Sequence, residues 1–296
     1  MIESFGIIWR PVRVVMACWL LRAFSAPASL VMARGFRMSI TIQAAGASVN
    51  YTCSGVGRPL VLLHGTSVDA QGNFGQVAER FADHCQVVMP NYGGCGGSTL
   101  PDGELTLDIL VEQVAAVIRH AADEPVDLLG DSLGAVVAAA VAARHPDRVR
   151  RLILVAGWAD SGDARHQMVF EGWRRLLAAD AELCNRYAFA LAVSPAALTR
   201  FGGDSIDALL RQPMPPDTAR RVELGLRIDI RQAARTIAAP TLVVACRQDY
   251  LVPPYQTRGL HQLIPGSRCV EIDSGHAAFL ERPDELVALV REFCLA

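Results

Sequence analysis

A chain of 296 residues that is 51% hydrophobic and 20% charged can bury one large core. Its formal net charge of −2 leaves no basic excess to neutralise phosphates, so nucleic acid is not an expected partner. No apolar run is long enough for stable membrane insertion, and the eight cysteines are scattered without a C-x-x-C pair, which speaks against the usual zinc patterns and a disulfide framework and favours the reducing cytoplasm.

Residues 1–37 read as an N-terminal extension. They carry one acid, Glu3, several arginines (Arg10, Arg13, Arg22, Arg34, Arg37) and an apolar patch from Val14 to Leu21. This half matches a secretory signal peptide, with Arg22 and Arg34 interrupting the pattern. Three readings stand: a dispensable extension or upstream start with Met38 as the working beginning, a cleaved signal, or a cap or membrane-surface role.

From Ser39 to Gln43 and from Ala47 to Thr52 apolar and polar residues alternate, the pattern of half-exposed antiparallel strands at a sheet edge. Leu60 to Leu63 is a continuous apolar run, as in a strand buried on both faces. It ends in His64-Gly65-Thr66-Ser67, which sets backbone N–H groups at the carboxyl end of an inner strand. A helix is expected from Phe74 to Phe81, then a strand from Cys85 to Met89 that runs into a glycine-dense loop, Pro90 to Ser98. That loop has no Gly-Lys-Ser/Thr and no helix directly after it, so a phosphate cradle is disfavoured. Thr106 N-caps an amphipathic helix reaching His120.

A short apolar run from Val126 then leads into Gly130-Asp131-Ser132-Leu133-Gly134 and a small-residue helix from Ala135 to Arg144. A strand that turns sharply into a helix strains its turn residue, and the flanking glycines let the two elements approach. Ser132 would stand alone at that turn; the bland alternative is a glycine-rich turn with a solvated serine. Leu152 to Ala156 is another inner strand, and strands alternating with helices at this spacing give a mainly parallel sheet.

After Gly157 the alternation stops. Met168 to Leu177, Ala181 to Val193, Asp204 to Arg211 and Thr218 to Leu226 read as helices without strands, an insertion whose Trp173, Tyr187 and Phe189 are expected in its own core. The strand pattern returns from Thr241 to Cys246, followed by a helix from Tyr255 to Ile264. A last strand, Arg268 to Ile272, ends in Asp273-Ser274-Gly275-His276, and a helix from Pro283 to Cys294 closes the chain.

Acyl transfer by a serine needs a nucleophile, a base, an acid that orients the base, and donors for the developing oxyanion. Each has a candidate at the carboxyl end of an expected parallel strand: Ser132 as nucleophile, His276 as base, Asp249 as acid, and the backbone N–H groups of Thr66 and Leu133 as oxyanion donors. The order Ser, Asp, His is one of the few in which this geometry recurs.

With Leu62-Leu63-His64-Gly65, the loop Pro90 to Ser98, Gly130 to Gly134, Gln248 to Pro253 and Gly275-His276 in this order and spacing, the chain resembles the α/β-hydrolase superfamily from about residue 39 to its end. The resemblance implies an α/β-hydrolase fold, a mostly parallel eight-stranded sheet with helices on both faces and a helical cap after the sixth strand. It divides the chain into the extension 1–37, a first core part 38–157, a cap 158–236 and a second core part 237–296. Two departures stand out: Asn91 and Tyr92 occupy a loop where Asp and Arg are more usual, and Asp131 precedes the nucleophile.

Rivals are weaker. Asp160 is an alternative acid, but Asp249 sits in the Asp-x-x-Val-Pro context. His64 reads as a loop organiser, Cys95 as a small filler, and His84, His120, His145, His166 and His261 show no ligand spacing. A serine rather than an aspartate nucleophile argues against haloalkane dehalogenase or epoxide hydrolase chemistry. The expectation is a cofactor-independent, metal-free serine hydrolase of carboxylic esters, thioesters or lactones, acting on a small-molecule acyl substrate through an acyl-enzyme at Ser132. The alternatives are a ligand-binding or signalling protein on the same scaffold, and a C–C hydrolase or acyltransferase of a biosynthetic pathway; fold alone does not choose. The inserted helices, with scattered arginines such as Arg200, Arg211 and Arg227, carry no readable substrate code.

Overall fold

Period-two alternation at one edge gives way to fully apolar strands further in, and the sheet of the computed structural model, which describes residues 38–295, follows that gradient. The readings of residues 1–37 lie outside the described residues. At the edge, β1 (Met38–Ala44) alternates half-buried with exposed positions and β2 (Ala47–Ser54) alternates buried with half-buried ones. Further in lie β3 (Arg58–Leu63), β4 (Cys85–Pro90), β5 (Val126–Asp131), β6 (Val149–Val155), β7 (Thr241–Cys246) and β8 (Arg268–Ile272), in the spatial order β1-β2-β4-β3-β5-β6-β7-β8. The β1–β2 and β2–β4 pairs are antiparallel, and the others are parallel.

The order turns back between β3 and β5: the chain leaves β3 for β4 on one side and returns to place β5 on the other. Ligand sites of open α/β sheets form at such a switch point, beyond the carboxyl ends of the strands. Here the register pairs Leu63 with Gly130, so Thr66 and Leu133 each lie three residues past a paired position.

One face of the sheet is covered by α3 (Leu107–Ala121) and α4 (Leu133–Arg144). Val61, Leu63 and Leu128 face them, and α4 is buried from Leu133 to Ala142, as its all-apolar sequence requires. On the other face Leu60, Leu62 and Leu129 meet α1 (Ala70–Phe74) and α2 (Ala78–Phe81), with α11 (Ala278–Glu281) and α12 (Pro283–Leu295). Each such fully buried leucine contributes roughly 1.5–3 kcal/mol. Between β6 and β7 the chain forms α5 (Ala164–Ala179), α6 (Ala181–Ala192), α7 (Pro195–Leu210), α8 (Thr218–Gly225) and α9 (Arg231–Arg235), and α10 (Pro254–Leu263) links β7 to β8. Trp158, Phe170, Trp173 and Val222 join the core of the α4 face, Tyr187 packs on it half-buried, and Phe189 is half-buried.

Two elements differ from the sequence reading. The single helix expected from Phe74 to Phe81 is instead α1 and α2. Asp69 caps α1 early, accepting from Gly72 N–H at 2.7 Å, and the chain turns at Gly75, where an added Cβ would lie 2.6 Å from Gln71 O. Helix α7 begins at Pro195, well before the expected Asp204, because Ser194 caps it; Gly202, at φ 72° and ψ 162°, breaks its helical pattern from within. The turns α9 and α11 are too short to show a helical period. The seven cysteines among the described residues are free, and no described helix is long and apolar enough to cross a membrane.

Candidate active site

Ser132 is the pivot between β5 and α4. Its backbone sits at φ 58° and ψ −119°, a strained conformation for a residue with a side chain, which the packing around it imposes. A Cβ on Gly130 would lie 2.1 Å from Gly134 O, and one on Gly134 would lie 2.0 Å from Leu63 O. Both glycines are therefore required by contact, and together they bring the helix start, the Ser132 turn and the end of β3 within touching distance.

Asp249 follows β7, and its carboxylate is fixed from two sides. Oδ1 accepts from the N–H groups of Leu251 and Val252, each at 2.8 Å, and Oδ2 meets His276 Nδ1 at 2.6 Å. His276, beyond β8, presents Nδ1 to the acid and so leaves Nε2 for a reacting group. Burial works against its imidazolium, but the Asp249 carboxylate, by charge and hydrogen bond, and the nearby Asp131 charge outweigh it and raise the pKa above the ordinary histidine value. Asp160, the rival acid, bonds Gly162 N–H at 3.0 Å and faces Arg231 at 4.0 Å.

The loop after β3 is held at the His64 ring, at both polar atoms of the Gly65 backbone and at the Thr66 carbonyl. Gly65 N–H donates to Asn73 Oδ1 at 2.8 Å, while Asn73 Nδ2 donates to Asp131 Oδ2 at 2.9 Å, so one amide clamps this loop to the residue before Ser132. His64 Nε2 accepts from Tyr92 N–H at 3.2 Å, which fixes the tautomer that donates Nδ1–H to Gly65 O at 2.9 Å. Burial and the Arg221 charge push its pKa down to about 3, so His64 stays neutral and organises the loop. The Thr66 carbonyl accepts from Arg221 Nε at 2.8 Å. Among the described residues, the Thr66 N–H donates to no protein acceptor, nor does that of Leu133 at the first turn of α4. A Cβ on Gly65 would lie 3.3 Å from Ser132 Cβ, so this loop touches the Ser132 turn.

The structure thus brings Asp249 to His276 and the Thr66 loop to Ser132, all buried, with Ser132 6% and His276 7% exposed. The Asn91 side chain accepts from Ala70 N–H at 3.0 Å and Tyr92 packs on His64, so the two departures in the glycine loop serve as scaffolding. Cys95 is a buried filler, its thiol pushed up to about 11 by burial. Sequence reasoning missed Asn73, Arg221 and Glu281. Arg221 and Glu281 act across more than eighty residues, and no local pattern marks any of the three. No group of three or more His, Cys, Asp or Glu that could hold a metal occurs among the described residues.

Comparison with known proteins identifies the family and the fold. A sequence model of the alpha/beta hydrolase fold matches residues 58–283. The pyrrolizixenacetamide deacetylase of Xenorhabdus hominickii is 34% identical over 259 residues, 86% of this chain and 97% of that protein. The pimeloyl-[acyl-carrier protein] methyl ester esterase of Aeromonas salmonicida is 30% identical, covering 83% of this chain and 99% of its own. Among solved structures, the enol-lactonase of Burkholderia xenovorans LB400 superposes with a TM-score of 0.78 at 22% identity, over 87% of this chain and all of the other, a likeness of fold.

Proposed function

The chain belongs to the alpha/beta hydrolase family, an enzyme family of hydrolases, and from that premise we propose a cofactor-independent serine hydrolase of carboxylic esters, thioesters or lactones. The observation that carries the reading is the buried Asp249–His276 pair at 2.6 Å, in a chain whose β5–α4 turn holds a buried serine at φ 58°. In the proposed cycle His276 Nε2 takes the proton of Ser132 as Oγ attacks the carbonyl carbon. The carbonyl π electrons move onto oxygen, where the Thr66 and Leu133 N–H groups receive the charge. Collapse of the adduct breaks the bond to the leaving group, which takes the proton from His276. Water, deprotonated by the same imidazole, then cleaves the acyl-enzyme and frees Ser132.

In this reading the helices between β6 and β7, residues 158–236, act as a cap on the hydrolase core formed by 38–157 and 237–296, with 1–37 a dispensable extension. A second reading, removal of an acetyl group from an amide, is favoured by the deacetylase relative. Steady-state turnover of p-nitrophenyl esters, simple lactones, acyl thioesters and an acetanilide tests both. Ester or lactone turnover is expected to vanish in Ser132→Ala and to fall about 10⁴-fold in Asp249→Asn, where the imidazole loses its orientation and charge partner. Undiminished turnover in Ser132→Ala would remove the nucleophile from the scheme.

A further inference from the structure

Arg221 is the only arginine among the described residues with essentially no exposed surface. It lies on α8, within the inserted helices, yet its guanidinium reaches out of them. Nε donates to Thr66 O at 2.8 Å and Nη1 to Gly93 O at 3.4 Å, while Nη2 donates to Pro216 O and Thr218 Oγ1, both at 3.0 Å. All four partners are neutral oxygens. The neighbouring carboxylate, Asp217, sits 3.5 Å from Arg220 instead. A buried cation without a bonded counter-ion is expensive to keep, and an apolar residue would fill the same space without that cost.

What the charge holds gives it a purpose. His64 fixes the Gly65 carbonyl, which shares a peptide plane with the Thr66 N–H, and Arg221 fixes the Thr66 carbonyl. The residue is thereby gripped on both sides of its α-carbon, once from the sheet domain and once from the inserted helices. We propose that Arg221 is a positioning residue for the oxyanion hole: seated on the Thr66 and Gly93 carbonyls, it aims the Thr66 N–H at the reacting carbonyl. The hole is then complete only when α8 is in place, and the insertion is part of the catalytic device as well as its cover. This rests on the serine hydrolase reading above.

The test compares wild type with Arg221→Met and Arg221→Lys on p-nitrophenyl acetate, with thermal melts to verify folding. A short-chain trifluoromethyl ketone, which adds to serine to give an oxyanion, serves as the probe of the hole, and the alcohol product as a probe of ordinary binding. In both variants kcat is expected to fall about tenfold to hundredfold. KM should stay within about threefold, ketone affinity should fall in parallel with kcat, and alcohol affinity should not move. Where Arg221→Met does not fold, Arg221→Lys decides by the same readouts, since an ammonium cannot span both carbonyls with the guanidinium's planar fork. Folded variants with unchanged kcat and ketone affinity, while turnover still requires Ser132, would overturn this inference alone. Turnover independent of Ser132 would overturn the reading beneath it.

Discussion

Asp131 stands one residue before the nucleophile with Oδ2 held by Asn73 and Oδ1 buried without a partner. Burial pushes its carboxyl up to about 6 from an ordinary 3.8, against the pull of His276 and the Asn73 hydrogen bond. Well below pH 3.8 the group is protonated in folded and unfolded chains alike and its effect on stability vanishes. Between about pH 4 and 6 the unfolded chain ionises it in water while the folded chain still holds its proton, so stability falls across that window and levels off above it. Asp131→Asn keeps an acceptor for Asn73 and removes that loss. The variant is expected to gain on the order of 1–3 kcal/mol over wild type at pH 8 and less than half of that at pH 4.5. Urea unfolding at both pH values checks this, and an equal gain at both would acquit the carboxyl. Ser132, Asp249 and His276 were legible in the sequence because each depends on its neighbours: two glycines forced by contact, two N–H groups just downstream of the acid, a glycine before the base. Asn73, Arg221 and Glu281 were not, since each joins a near partner to a distant one, Asp131, Thr66 and Ser194 respectively, and the distant one leaves no local pattern.

Elements show the same division. Strand β5 and helix α4 are written in the apolar run and the small residues that follow, whereas α1, α2 and α11 are too short for any period to show. The turn between α6 and α7, where the expected helix ends at Val193 and Ser194-Pro195 starts the next, braces both Asp249 and His276. Leu191 O accepts from Tyr250 N–H at 3.1 Å beside Asp249, and Ala192 O accepts from Ala277 N–H at 3.0 Å beside His276. Glu281 completes the brace, taking Ser194 N–H at 3.0 Å, Ser194 Oγ–H at 2.5 Å and Gly275 N–H at 3.2 Å. A Cβ on Gly275 would lie 2.6 Å from Ala192 O, so the two turns pack backbone to backbone. Glu281→Ala strands these donors in a dry site and is expected to cost about 2–4 kcal/mol in urea unfolding and to lower kcat, with Glu281→Gln costing less than half as much. Full stability in the alanine variant would show the brace to be idle.

Among the described residues, Ser132 and His276 are only 6% and 7% exposed. Two cavities of about 420 and 740 Å³, sharing Leu177 and Ala219, are lined mostly by residues between β6 and β7 and by none of Ser132, Asp249 and His276. The burial of the site favours a small substrate. The kcat/KM for acetyl and butyryl p-nitrophenyl esters is expected to exceed that for the decanoyl ester by about tenfold or more, each tenfold being about 1.4 kcal/mol of barrier. A flat or rising series would mean that the cover yields freely. Fastenings that tie the insertion to the core near the site lie on either side of residues 201–216, residues 191–200 on Tyr250, Ala277 and Glu281, and Arg221 on Thr66. Between them, the hydrogen bonds of residues 201–216 run to other inserted residues: Asn185 to Leu210 O, Arg186 to Asp207, Thr218 to Pro215 O. Apart from Pro216, whose carbonyl seats Arg221, that stretch is expected to tolerate exchange. Grafting another sequence there is expected to alter which substrates are turned over and to leave the dependence on Ser132 unchanged.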